Sequence, residues 1–286
     1  VWWWSQADPS FQDAFNGFVW EEPSAKGRGW QVVGNVNLNR APGSRRRHII
    51  CNVVVQDAYR GQGIGRRLTE RAIAEAETLG AQGVVLQVHE DNRPALRLYT
   101  DLGFQEATGE VDLWLEGVKS VAILDAPGYR FRAWRPTDGQ ATYQLAQLAT
   151  PSVQQWLRPL KADDYRPVWW SRLGRRLVDL MAGRRVYRLN TFQANRLVAT
   201  MAVTVAFRQG EHRLNMLVHP DHTGQVEVSL VSRALHMLAA IPSRPVRVTL
   251  SKEHAAALKV LRDYGFQEHR TLLTLWKDFV QEAGYE

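Results

Sequence analysis

The segment Asp101-Leu102-Gly103-Phe104-Gln105-Glu106 returns as Asp263-Tyr264-Gly265-Phe266-Gln267-Glu268, 162 positions further along. A second pair of segments, Val55 to Leu68 and Val218 to Leu230, matches at an offset of 163. One recurring turn sequence is explained by chance; two matches in register argue for repeated structural units. The chain is therefore read as a duplication, with residues 1–124 and 125–286 as its domains and Asp125-Ala126-Pro127-Gly128 as the break between them. With 286 residues, 45% of them apolar, the chain is long enough to bury two cores.

Local pattern predicts the same order of elements in each half. Phe15 to Glu21, Gly29 to Asn39 and His48 to Val55 read as strands, rich in Val, Ile and Trp. Gly63 to Leu79 reads as a helix, because Ile64, Leu68, Ala72, Ile73 and Ala76 recur at three and four residues, with Gly80 closing it. Strand Val84 to Val88, helix Arg93 to Asp101 and strand Glu110 to Leu115 follow. The second half repeats this plan with strands Val186 to Gln193, Leu197 to Arg208 and Arg213 to Val218, then helix Gln225 to Ala240. Strand Val246 to Leu250, helix Glu253 to Tyr264 and strand Thr271 to Trp276 complete it. The second half also has an opening strand, Tyr129 to Arg135, and helices near Asp138 to Ala149 and Asp164 to Ala182. Val1-Trp2-Trp3-Trp4-Ser5 echoes Val168-Trp169-Trp170-Ser171, so the first domain is expected without its opening strand and helix. Val1 in place of Met fits a sequence that begins inside a larger chain.

A strand running into Arg60-Gly61-Gln62-Gly63-Ile64-Gly65 and straight on into a helix presents backbone N–H groups at a helix N-terminus, where the dipole also favours negative charge. Glycines let a ligand approach the backbone, and Arg60, Arg66 and Arg67 add charge, so a pyrophosphate would fit. Taken alone, a plain glycine turn satisfies the pattern equally well. Two familiar phosphate loops are excluded by spacing: no Lys-Ser or Lys-Thr opens the helix, and the third glycine comes one residue early for a dinucleotide fingerprint.

The run Val53-x-Val55-x-Asp57-x-Tyr59-Arg60-Gly61-Gln62-Gly63-Ile64-Gly65 resembles the pyrophosphate loop of the GNAT superfamily of N-acetyltransferases. Asn92-x-x-Ala95-x-x-Leu98-Tyr99-x-x-x-Gly103-Phe104 resembles its second signature; Asp57 stands where many members have proline. The resemblance implies an α/β (α+β) fold of two tandem domains, each a mixed, mostly antiparallel sheet flanked by helices with a splayed central strand. It also implies acetyl-CoA as co-substrate, an amine acceptor on a small molecule or peptide, and direct attack of the amine on the thioester. Val53, Val54 and Val55 would pair with pantetheine like an added strand and supply an oxyanion donor. The loop residues Arg60, Gly61, Gln62, Gly63, Ile64, Gly65 and Arg66 would hold the pyrophosphate. Tyr99 is the candidate acid for the leaving thiolate, or else a half-buried helix tyrosine. Asn92 would touch the cofactor or act as a plain helix cap. His48 is the candidate base, with Glu21, Glu22, Glu90 and a water chain as rivals. Cys51 reads as strand core, and His219 with His222 makes too weak a pair for a metal site.

At the two offsets Gly63, Gly65 and Arg60 fall on Val226, Val228 and Thr223, Ile64 on Glu227, Asn92 on His254 and Tyr99 on Leu261. The second domain is thus expected to be a degenerate copy. The net charge of +7 suits an anionic partner. From Arg158 to Arg188 nine basic residues stand against three acidic ones, which with Arg45-Arg46-Arg47 supports the alternative of a retired scaffold that binds nucleic acid. A solvated helix face explains the same charges, and nucleic acid is not expected. No segment reaches the length of a membrane span, no Arg/Lys-led signal segment opens the chain, and the lone Cys51 fits a reducing compartment. The expectation is a cytoplasmic enzyme without a membrane partner, and a homodimer is compatible with it.

Overall fold

The computed structural model describes residues 16–24, 27, 29–44, 46–165, 174, 178 and 181–279. The first run of elements is β1 (Gly17–Pro23), β2 (Trp30–Arg40), β3 (Arg47–Val55), α1 (Ile64–Thr78), β4 (Gly83–His89), α2 (Arg93–Asp101) and β5 (Gln105–Leu115). A connecting stretch holds β6 (Arg130–Ala133), α3 (Gly139–Ala149), α4 (Ser152–Leu157) and α5 (Ala162–Tyr165). The second run is β7 (Arg184–Gln193), β8 (Arg196–Ala206), β9 (His212–Val218), α6 (Glu227–Ala239), β10 (Val246–Ser251), α7 (Ala255–Asp263) and β11 (Gln267–Asp278). The Trp-rich echo at Val1 to Ser5 and Val168 to Ser171, Arg45, and most of the expected helix Asp164 to Ala182 lie outside the described residues.

The chain forms two compact units. In unit 1 the strand order is β1-β2-β3-β4-β11, with β3 and β4 parallel and the other pairs antiparallel. The helical period of α1 buries Ile64, Leu68, Ala72, Ile73 and Ala76 with Val33, Val36, Ile50, Val84 and Leu86 in one core. β4 is buried on both faces from Gly83 to Leu86 and alternates beyond that, with Val88 buried and Gln87 and His89 exposed. Part of α4 also belongs to this unit: Arg47 lies over the Trp156 ring at 3.9 Å, faces Trp276 of β11 at 5.6 Å and pairs with Asp278.

In unit 2 the order is β6-β7-β8-β9-β10-β5, with β9 and β10 parallel and the other pairs antiparallel. Its core gathers Leu230, Val231, Leu235 and Leu238 of α6 against Met201, Val203, Leu214, Val248 and Leu113. Both units are therefore mixed, mostly antiparallel sheets flanked by helices, as expected.

The repeated D-x-G-F is a helix stop. Gly103 (φ 84°) and Gly265 (φ 88°) follow α2 and α7 in the left-handed conformation. The next amide reaches back to the last turn in each copy, Phe104 N to Tyr99 O and Phe266 N to Leu261 O, both at 3.0 Å, closing a Schellman motif over a buried phenylalanine.

The compact units are cut differently from the expected boundary at Asp125. Residues 110–115 of β5 pair along β10 in unit 2, and residues 272–278 of β11 pair along β4 in unit 1. Each sheet is completed by the last strand of the other repeat, so the division follows strand pairing and not the linker.

Candidate active site

The parallel pairing of β3 with β4 runs only through Arg47↔Gly83, His48↔Val84 and Ile49↔Val85, while β3 continues to Val55 and β4 to His89. Beyond Ile49 the two strands no longer pair, which opens a wedge between parallel strands. On its other side β3 stays bonded to β2, with a register shift: Asn37 opposes Cys51 and Asn35 opposes Val54. Val36 therefore stands opposite both Asn52 and Val53, a β-bulge centred on Asn52, whose φ is 53°. Past the bulge Val53 and Val55 pack toward the core, and Val54 is 53% exposed.

β3 passes through a single 3-10 turn, Asp57–Tyr59, into the glycine loop and α1. Gly63 is the N-cap of α1 with φ 79°, and Gly61 has φ 78°. The first amides of the helix have no acceptor within it and face outward at its positive end. A Cβ added at Gly61 or Gly63 would meet nothing within 4 Å, so an anion has open space against this backbone. At Gly65 a Cβ would lie 3.8 Å from Leu98 of α2 and from Val55 of β3, which brings the cradle, the wedge strand and the second signature helix together.

The arginines are less available than their spacing suggests. Arg60 pairs with Asp57 at 2.8 Å and its Nε donates to the Val55 carbonyl; Arg66 pairs with Asp101 at 2.9 Å; Arg67 lies 5.4 Å over the Trp20 ring. The Arg60 and Arg66 pairs are exposed and contribute little, so a phosphate can exchange for the carboxylate. The backbone amides are the fixed part of the cradle.

Tyr99 is 7% exposed on α2, with its ring edge against Phe104 at 5.8 Å, and burial pushes its phenol above the ordinary value. Asn92 caps α2: its Oδ1 accepts from Ala95 N at 3.2 Å. His48 lies within the paired part of β3, 5% exposed, on the side shared by Ile50 and Val84. Glu21 is exposed, and Glu22 accepts from the Trp20 indole at 2.8 Å. Burial raises the Cys51 thiol, and Asn39 Nδ2 lies 3.5 Å from its sulfur. Both ring nitrogens of His219 are engaged, by Arg196 and the Asp221 amide, and Nδ1 of His222 by Tyr129; among the described residues no group of three or more His, Cys, Asp or Glu could hold a metal ion. The bulge at Asn52 escaped the sequence reading. Its one trace there is an asparagine in the middle of a Val/Ile strand.

Unit 2 carries the same frame with a different content. β9 and β10 pair only from His212↔Val246 to Leu214↔Val248, and Gly224 matches Gly61 with φ 86°. In the place of the anion, however, is the Glu227 carboxylate, 1% exposed. It accepts from Gly224 N at 2.8 and 2.9 Å, from Val226 N at 3.1 Å, and lies 3.1 Å from His254 Nε2. Burial alone would raise this carboxyl, but the His254 and backbone hydrogen bonds outweigh it and hold the group below its ordinary range. The cap position held by Asn92 in unit 1 is taken by His254, and the Tyr99 position by the buried Leu261.

A wedge between parallel strands beside a glycine-opened helix, within a mixed sheet flanked by helices, is the arrangement of the GNAT fold. Residues 2–104 match the model of the Acetyltransferase (GNAT) family, and the second half of the chain repeats the same order of strands and helices. Over 59 residues the chain is 44% identical to the [Ribosomal protein bS18]-alanine N-acetyltransferase of Escherichia coli (strain K12), covering 21% of this chain and 40% of that one. Over 74 residues it is 42% identical to the mycothiol acetyltransferase of Jonesia denitrificans, covering 26% of this chain and 23% of that one. The chain thus matches well under two thirds of the length of these relatives. Among solved structures, a tandem GNAT protein from the clavulanic acid biosynthesis pathway aligns with a TM-score of 0.52 at 18% identity, over 89% of this chain and 81% of that one. No described helix is long and apolar enough to cross a membrane.

Proposed function

We propose that this chain is an acetyl-CoA-dependent N-acetyltransferase whose single cofactor site lies in unit 1. The observation that carries the reading is the end of β3–β4 pairing at Ile49↔Val85, directly upstream of a loop whose Gly61 and Gly63 leave the α1 amides open. The exposed edge of β3 from Cys51 to Val55 would take the amides of pantetheine as an added strand, and the amides of Gly61 to Arg66 the pyrophosphate. The loop fits a phosphate on its own chemistry, since unit 2 fills the equivalent position with a carboxylate. An amine attacks the thioester carbonyl, the bulged strand donates to the oxyanion, the C–S bond breaks, and Tyr99 protonates the departing thiolate. The enclosed ring of His48 argues against its reaching an acceptor amine, so removal of the amine's proton is assigned to water at the open side of the wedge. The names of the relatives suggest a peptide α-amine or a small primary amine as acceptor.

The test is calorimetric titration with acetyl-CoA together with thiol release in the presence of an alanine-initiated peptide or glucosamine. Gly63→Val forces a branched residue into a left-handed φ and sets a side chain in the open cradle, so acetyl-CoA affinity should fall at least about tenfold with the global melting transition preserved. Unchanged affinity would sink the cradle assignment.

A further inference from the structure

We propose that Asn35 is a positioning residue for the transfer step: its side-chain amide holds Asn52 in the bulge and so fixes the peptide groups from which the oxyanion donor comes. The inference rests on the acetyl-transfer reading above. Among the described residues three other than glycine have positive φ, and two of them, Ala194 and Asn195, form the tight turn between β7 and β8. Asn52 alone stands inside a strand. The left-handed conformation is strained even for asparagine, and such strain persists only where the surroundings impose it.

What imposes it is local. Asn35 Nδ2 donates to the Asn52 carbonyl at 2.8 Å and lies 3.4 Å from Asn37 Oδ1. The side chain thus gives the bulged carbonyl the donor that a regular ladder would have supplied from backbone. Its position explains why this matters. The bulge begins three residues past the last β3–β4 pair, so the peptides of Asn52 to Val54 lie at the opening wedge, where the thioester carbonyl would sit. Were the bulge to relax into a regular strand, alternation would slip by one residue and every peptide and side chain after Cys51 would turn to the opposite side. An oxyanion donor acts only at hydrogen-bond distance from where charge develops, so this lock governs rate more than cofactor affinity.

Thiol release with the same peptide and glucosamine probes, acetyl-CoA calorimetry and thermal unfolding are compared for wild type, Asn35→Ala, Asn35→Asp and Asn35→Ser. Asn35→Ala should lose about tenfold in kcat, a fraction of what deleting a donor outright costs, with acetyl-CoA affinity within about twofold of wild type. Asn35→Asp should lose more, because a carboxylate of the same size repels the Asn52 carbonyl, and Asn35→Ser should fall between wild type and Asn35→Ala. Adding Asn52→Gly to Asn35→Ala should recover most of the lost rate, since glycine adopts positive φ without strain. A wild-type kcat in Asn35→Ala and Asn35→Ser overturns the proposal even if Asn35→Asp fails to fold, and so does a loss of affinity equal to the loss of rate. Acetyl-CoA binding by wild type without transfer to either amine overturns the transfer reading itself.

Discussion

At the residue scale, Tyr99 serves packing and, under the proposed function, would serve chemistry as well. Its ring is part of the unit 1 core, against Phe104, and burial raises its phenol, so it stays protonated throughout the ordinary working range. A group that acts as an acid is active while protonated and fails as pH rises through its folded-state pKa, which here lies above the usual tyrosine value near 10. No falling limb owed to Tyr99 is therefore expected in the kcat profile below about pH 10. Tyr99→Phe keeps the ring and removes the proton; kcat should drop by about 10² or more with acetyl-CoA affinity unchanged. Steady-state kinetics beside calorimetry decide the matter, and an equal loss in both would make Tyr99 structural.

At the scale of elements, the two loop-and-helix junctions are one device with different occupants. In unit 1 the amides ahead of α1 are open; in unit 2 those ahead of α6 are closed by Glu227 with His254 behind it. Glu227→Ala leaves the Gly224 and Val226 amides without their acceptor, and should destabilise the chain by about 2 kcal/mol in urea unfolding. The sign with pH follows from the lowered carboxyl. Stability contributed by Glu227 is present above the unfolded-state pKa, near 4.3, and is lost as pH falls through the lower folded value. The acid limb of unfolding should therefore be shallower in Glu227→Gln than in wild type; coincident limbs would mean the carboxylate is not the linked group.

For the whole molecule, the crossing of β5 and β11 matters more than the linker. A fragment of residues 1–124 keeps the glycine loop and Tyr99 but lacks β11, whose Leu273 and Leu275 are 3% and 4% exposed beside β4, and lacks the Trp156 that covers Arg47. Each of those leucines contributes about 2 kcal/mol by burial alone, a large share of a domain's net stability. The fragment should show no cooperative thermal transition and no acetyl-CoA binding, whereas the intact chain should bind one acetyl-CoA. Circular dichroism melting and calorimetric stoichiometry check both, and a fragment that melts cooperatively and binds would show β11 to be dispensable.

The duplication, the order of elements, the α1 core stripe and the glycine loop were legible in the sequence because each depends on contacts within a few positions or on direct repetition. Periodicity at Ile64, Leu68, Ala72 and Ala76 is enough to face a helix toward a core, and D-x-G-F carries its own helix stop. Glu227 at the Ile64 position was visible in the sequence too, though not the hydrogen bonds it accepts from Gly224 and Val226. Three features needed the tertiary structure. Which sheet takes β5 and β11 is a choice between two nearly equivalent edges, made by pairing over more than 130 positions in β10 with β5 and more than 180 in β11 with β4, to which local pattern is blind. The pairing of Arg66 with Asp101 and of Arg60 with Asp57 depends on which side chains come within reach, so loop charge overstated the cradle's free cations. The bulge at Asn52 arises from register against β2, where Val36 must oppose two residues, and an asparagine amid Val and Ile marks the place without specifying the bulge.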